Sequence, residues 1–134
     1  MHKHLIPLTV ALAAVFGGNA WAADAMTSEA YKTAKNAIEE TAKADKKACD
    51  AMKDNAKDIC QAEAKAKEKI AKAELDAQNK PGPKADQKTQ LMKAEGAYEV
   101  AKEKCEDQKG KEMAACKKDA KVAHDKAKAD AKKS

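Results

Sequence analysis

The chain of 134 residues contains no arginine: all 27 of its strongly basic residues are lysine. Arginine is the side chain whose planar fork reads phosphate, carboxylate or guanine through two parallel hydrogen bonds. Its absence argues against sequence-specific nucleic-acid binding and leaves only loose, salt-sensitive attraction to polyanions. Aromatic residues are nearly missing, with one Trp, two Tyr and one Phe. Large aliphatic residues are thin as well, and the composition approaches that of chains too polar to bury a core. Glycine and proline number only five and three. No glycine-rich phosphate loop can be assembled from them. No C-x-x-C pair is present, so the usual signature of a redox dithiol is missing. Serine is scarce and His124 is the one histidine beyond the N-terminal segment, so no Ser/His/Asp set stands out. These absences predict a protein that is not an enzyme and needs no cofactor.

What is present is alanine, lysine and glutamate in helical order. These are strong helix formers, and they pull the chain back from disorder. Acidic residues number 22, leaving a net charge of +5. Nearly all of them fall among lysines, as on solvated helix faces with i,i+4 pairs. Apolar stripes follow the 3.6-residue period. Leu91, Ala94, Tyr98, Ala101 and Cys105 form one stripe, and Met113, Cys116, Ala120, Ala123 and Ala127 another. Ile59, Ala62, Ala66, Ile70, Ala73 and Ala77 form a third, with Cys60 beside it. A looser one contains Tyr31, Ala34, Ile38, Ala42, Cys49 and Met52, with Asp45 intruding. Tyr31 and Tyr98 read as packing aromatics, or as marks of a binding face. Gly96 lies inside a helical pattern and is expected to cost about 1 kcal/mol there.

The N-terminus has the three parts of a secretory signal peptide: "MHKHLIPL", the apolar run "LTVALAAVFGG" and the small-x-small site Ala20-Trp21-Ala22. The apolar run is shorter than the roughly 20 residues a bilayer-spanning helix needs. The expected organisation is a signal peptide over 1–22, a first helical hairpin over 23–80, a Pro/Gly linker at 81–83 and a second hairpin over 84–134. The expected compartment is the periplasm, with no stable membrane span left after cleavage.

Four cysteines remain in the mature chain, and an oxidising compartment favours pairing them. "CDAMKDNAKDIC" (49–60) and "CEDQKGKEMAAC" (105–116) repeat one spacing at an offset of 56 residues. Were 49–60 an unbroken helix, Cys49 and Cys60 would lie about 16 Å apart, beyond the roughly 4.4–6.8 Å that a disulfide tolerates. If the chain reverses between them, they face one another. Asn55 is a good N-cap for the returning helix, and Gly110 a natural left-handed residue to close the third one. The pairs Cys49–Cys60 and Cys105–Cys116 are therefore expected as structural staples. A Cys₄ zinc site, which prefers tight C-x₂₋₄-C pairs, cross-repeat pairing and intermolecular bonds are the alternatives. The scattered methionines suggest copper(I) only weakly, since Met at helical spacing belongs to cores. His124, between Ala123 and Asp125, reads as solvated surface.

"DNAKDIC" (54–60), "AKAELDAQ" (71–78), "AYEVAKEKC" (97–105) and the prolines after residue 80 carry a resemblance. In these segments the chain resembles small exported Ala/Lys-rich helical proteins of proteobacteria with duplicated C-x₁₀-C motifs. The resemblance brings no activity with it, and the turn "QKGKEMAAC" departs from the pattern.

The expected fold is all-α, with helices at 27–53, 56–78, 84–108 and 111–132. They form two disulfide-stapled hairpins in tandem, either packed as a four-helix bundle or loosely jointed at Pro81–Pro83. The expected function is a structural, chaperone-like or interaction module of the cell envelope with a protein partner. Two alternatives stand beside it. One is soft-metal (copper or zinc) buffering by Cys49, Cys60, Cys105 and Cys116. The other is polyanion binding through clusters such as Lys117-Lys118 and Lys132-Lys133.

Overall fold

The computed structural model describes residues 26–133; the expected signal peptide and its cleavage site lie outside them. Four helices follow in order: α1 Ser28–Cys49, α2 Asp54–Asn79, α3 Pro83–Cys105 and α4 Gly110–Ala131. Thr27 caps α1, its Oγ1 accepting from the Ala30 N–H at 3.2 Å. Asn79-Lys80-Pro81 ends α2, and Pro83 opens α3 at a position where its missing N–H costs nothing.

α1 and α3 end three or four residues before the expected boundaries, at the cysteines themselves. Asp50, Ala51 and Met52 donate to the carbonyls of Lys47, Ala48 and Cys49, tightening the last turn. Glu106, Asp107 and Gln108 do the same to Glu103, Lys104 and Cys105. Lys53 and Lys109 then extend, and Asp54 (φ +52°) and Gly110 (φ +59°) turn the chain through the left-handed region into the next helix. Gly110 thus opens α4 rather than closing α3. Asn55 is not the cap of α2: Lys53 holds that position without a side-chain bond. The two turns are congruent even though "QKGKEMAAC" departs in sequence, because only the backbone geometry at Asp54 and Gly110 has to match.

The staples form as expected. Cys49 is bonded to Cys60 and Cys105 to Cys116, each with Cα atoms 5.6 Å apart. The cysteines are not placed symmetrically about the turn. Cys49 and Cys105 are the last residues of α1 and α3, while Cys60 and Cys116 lie within α2 and α4, beyond their first turn.

The hairpins pack on each other through α2 and α3, so the chain is not loosely jointed at the prolines. Asn55 Nδ2 donates to the Glu103 carbonyl at 2.7 Å and to Asp107 at one end of this seam. Lys88 meets Asp76 at 2.7 Å toward the other end. Each helix touches only its chain neighbours: no Cα pair within 8 Å joins α1 to α3 or α4, or α2 to α4. The four-helix bundle is an open antiparallel row.

The phase of the buried residues causes this. At about 100° per residue, Ala64 and Leu75 point α2 toward α1, alongside Cys60. Ala66 and Ala73 lie two and nine residues after Ala64, about 160–180° away, and point toward α3. α3 repeats the arrangement. Thr89 and Gly96 face α2, with the Thr89 hydroxyl shared between the Ala85 carbonyl of its own helix at 3.0 Å and the Ala73 carbonyl at 3.3 Å, while Ala94 and Cys105 face α4. Seams on opposite sides of a helix place its neighbours in line. The core is accordingly alanine and disulfide: among the described residues Leu75 is the one large aliphatic residue buried, and Cys49 and Cys105 are the largest side chains fully enclosed. Gly96 is where α2 and α3 come closest, since a Cβ built there would stand 2.9 Å from the Ala66 Cβ.

Candidate functional site

A row of four helices has two broad faces, and the helical period gives them different chemistry. One face collects Lys43, Lys46 and Lys47 from α1, Lys65, Lys69 and Lys72 from α2, Lys88 and Lys102 from α3, and Lys121 and Lys128 from α4. The other collects Ile38, Thr41, Ile70, Ala97, Val100 and Ala101, with Lys67, Lys93 and Lys104 between them.

On the basic face, carboxylates cross-link neighbouring helices. Glu68 accepts from Lys46 of α1 at 2.6 Å and from Lys72 at 2.8 Å, and Lys72 reaches Glu39 of α1 at 3.2 Å. The hydrogen bonds from Lys46 and Lys72 hold the Glu68 carboxyl down to about 2, against its ordinary 4.5. Asp76 is a second hub. It accepts from Lys88 and from the Tyr31 hydroxyl at 2.6 Å, which lowers its pKa and raises that of Tyr31. Tyr31 is thus a hydrogen-bonded tie between α1 and α2. Lys43, Lys47, Lys65 and Lys69 are exposed, and no ion pair engages them among the described residues. Lys43, Lys47 and Lys65 join Lys46, Asp50 and Gln61 around a groove of about 380 Å³ between α1 and α2.

On the opposite face, a shallow groove of about 620 Å³ runs between α2 and α3. Its floor is Ala66, Ile70, Gly96, Ala97, Val100 and Ala101. Lys93 and Lys104 on its rim are engaged by Glu74 at 2.9 Å and Glu63 at 3.5 Å, whereas Lys67 has no ion pair among the described residues. Ile70 belongs to an expected buried stripe, yet it is only half-buried, as is Val100, because no second layer among the described residues covers this face.

The remaining residues singled out by the sequence find definite places. His124 is not solvated surface. Its side chain is only 13% exposed and its ring stacks on Tyr98 with centroids 4.5 Å apart, tying α3 to α4. Its Nε2 is buried and has no hydrogen-bond partner among the described residues. Tyr98 is a packing aromatic, sandwiched between His124 and the Lys102 ammonium 4.9 Å from its centroid. Lys117 pairs with Glu106 across the second turn, and Lys133 with Asp130, so the Lys117-Lys118 and Lys132-Lys133 clusters are part-neutralised. None of the four cysteines is a free thiol. Among the described residues no group of three or more His, Cys, Asp or Glu side chains is placed to hold a metal ion, and no helix is long and apolar enough to cross a membrane.

The sequence reading missed the segregation of lysine between the two faces. The signal was present in the i,i+4 pairs Lys43/Lys47 and Lys65/Lys69, but their facing one way together follows only once the direction of each seam is known. Comparison of the chain with protein-family models, with curated proteins and with solved structures finds no match.

Proposed function

We propose that this protein is a non-enzymatic interaction module of the cell envelope, and that it binds an amphipathic helix of a protein partner in the groove between α2 and α3. The carrying observation is the uncovered apolar floor from Ala66 to Val100. Helical layers are stable when their apolar side meets a second layer, and among the described residues this face has none. Small residues along the floor let a third backbone approach closely. Lys67, exposed at the rim and in no ion pair among the described residues, suits an acidic residue on the partner's polar edge. Two closed disulfides fit an oxidising compartment, and with the signal-peptide pattern at the N-terminus they support the periplasm as the place of action. Each staple holds α1 to α2 or α3 to α4, and the close α2–α3 approach at Gly96 with the Asn55–Glu103 hydrogen bond presents the groove as a preformed surface. Soft-metal buffering would need free thiolates, and nothing in the structure supports it.

Photo-crosslinking in cells tests this reading. A photoreactive residue at Val100 should yield a discrete protein adduct that the same residue at Lys65, on the opposite face, does not. No adduct at Val100, or identical adducts at both positions, overturns it.

A further inference from the structure

We propose that the lysine-rich face is a docking surface for an anionic lipid bilayer, which the plate meets broadside. Four observations carry it. Lys43, Lys47, Lys65 and Lys69 are exposed and, among the described residues, engaged in no ion pair, whereas Lys93 and Lys104 on the opposite face are each held by a glutamate. They come from two adjacent helices at i,i+4 spacing, so their ammonium groups form a two-dimensional patch and not a stripe along one helix. The row of helices is open and each central helix has its neighbours on opposite sides, so the patch lies on a broad surface creased by two grooves, one shared with Asp50 and the other with Asp58, Glu99 and Glu103. Finally, every one of these cations is lysine, a compact hydrated point charge with no fixed fork.

A bilayer of anionic lipids presents phosphates as a plane of diffuse negative charge, and juxtaposed lysines each add to the attraction. A nucleic acid would instead reward arginine forks or aromatic platforms for bases. The chain has no arginine, and Tyr98 is occupied by His124 and Lys102. With no membrane-length apolar helix among the described residues, association of this region is peripheral and electrostatic, and salt weakens it as screening shortens to about 8 Å at physiological ionic strength. The proposal does not rest on the groove reading, because the apolar face stays turned away from the lipid.

Co-sedimentation of the oxidised protein with vesicles tests it. Binding is expected to phosphatidylglycerol-containing vesicles and not to pure phosphatidylcholine vesicles. Replacing Lys43, Lys47, Lys65 and Lys69 together by Glu should weaken it by more than about 100-fold. The quadruple Lys→Gln variant, which changes no helix former for a poor one, should weaken it by a smaller factor. Glu at Lys67, Lys80, Lys111 and Lys126, four exposed lysines off this face, makes the same change in net charge and should leave most of the binding. Equal loss in both Glu variants, or equal binding to the two kinds of vesicle, overturns the proposal. So does a Lys43/Lys47/Lys65/Lys69 variant that loses heparin binding while keeping vesicle binding.

Discussion

Replacing Gly96 by alanine tests the closest contact in the fold, and two effects of opposite sign compete there. In a helix interior, Gly→Ala gains about 1 kcal/mol of propensity. Against this, the new Cβ would stand 2.9 Å from the Ala66 Cβ, 3.4 Å from the Ala66 Cα and 3.5 Å from the Ile70 Cδ1. Carbon atoms prefer about 3.5–4.0 Å, and the Ala66 Cβ cannot rotate away because it is fixed to the backbone. α2 and α3 must separate by several tenths of an ångström. The 3.3 Å approach of the Thr89 hydroxyl to the Ala73 carbonyl lengthens, leaving that hydroxyl to the Ala85 carbonyl at 3.0 Å. Overpacking of this kind costs roughly 1–3 kcal/mol, so the net expectation is a loss of about 1 kcal/mol, or about 4–8 °C in Tm for a domain of this size. Ala66→Gly removes the opposing methyl. In a double-mutant cycle by urea denaturation the propensity terms cancel, and the pair should couple favourably by about 1–2 kcal/mol. If Gly96→Ala alone raises stability by its full propensity gain and the cycle shows no coupling, α2 and α3 do not meet as described, and the seam and groove built on them fall together.

Three further expectations follow from the turns and the ion pairs. Asp54→Gly should stabilise the protein and Gly110→Asp destabilise it, each by about 1 kcal/mol in urea titrations, because both positions hold the same left-handed backbone; effects of equal sign would show that the turns are not congruent. Removing one staple, as Cys49→Ala with Cys60→Ala, should cost about 2–3 kcal/mol, and the oxidised wild type should lose more than that on full reduction; an unchanged melting curve contradicts it. Because Glu68 has a folded pKa below its unfolded value, its ion pairs stabilise the protein fully above about pH 4.5, and that contribution fades as pH falls toward about 2. The stability gap between wild type and Glu68→Gln, on the order of 1 kcal/mol after allowing for solvent screening, should therefore be present at pH 6 and shrink by pH 2.5; a gap independent of pH would mean that Glu68 acts through packing alone.

The sequence by itself determined the helices, the reversals and the pairing of the cysteines. Those are local matters: the period of Leu91, Ala94, Tyr98 and Cys105, the breaker at Pro81–Pro83, and a spacing that no unbroken helix could bridge. It could not tell which residue would bend the chain, since Asp54 and Asn55 are both plausible turn residues and only the observed φ separates them. Nor could it locate the second seam on α2 and α3. The Ile59–Ala66–Ala73 stripe was legible, but Ala64 with Leu75, and Thr89 with Gly96, became buried edges only because α1 lies against one and α2 against the other. Alanine is nearly indifferent between a buried and an exposed helix face, so in a chain built on it the period allows several stripes, and only packed neighbours choose among them. The same neighbours enclosed His124 against Tyr98 and set Lys43, Lys47, Lys65 and Lys69 on one side of the row, with Lys67, Lys93 and Lys104 on the other. A helix fixes the angles between its own side chains, but which of those angles meets water is settled by the helices beside it.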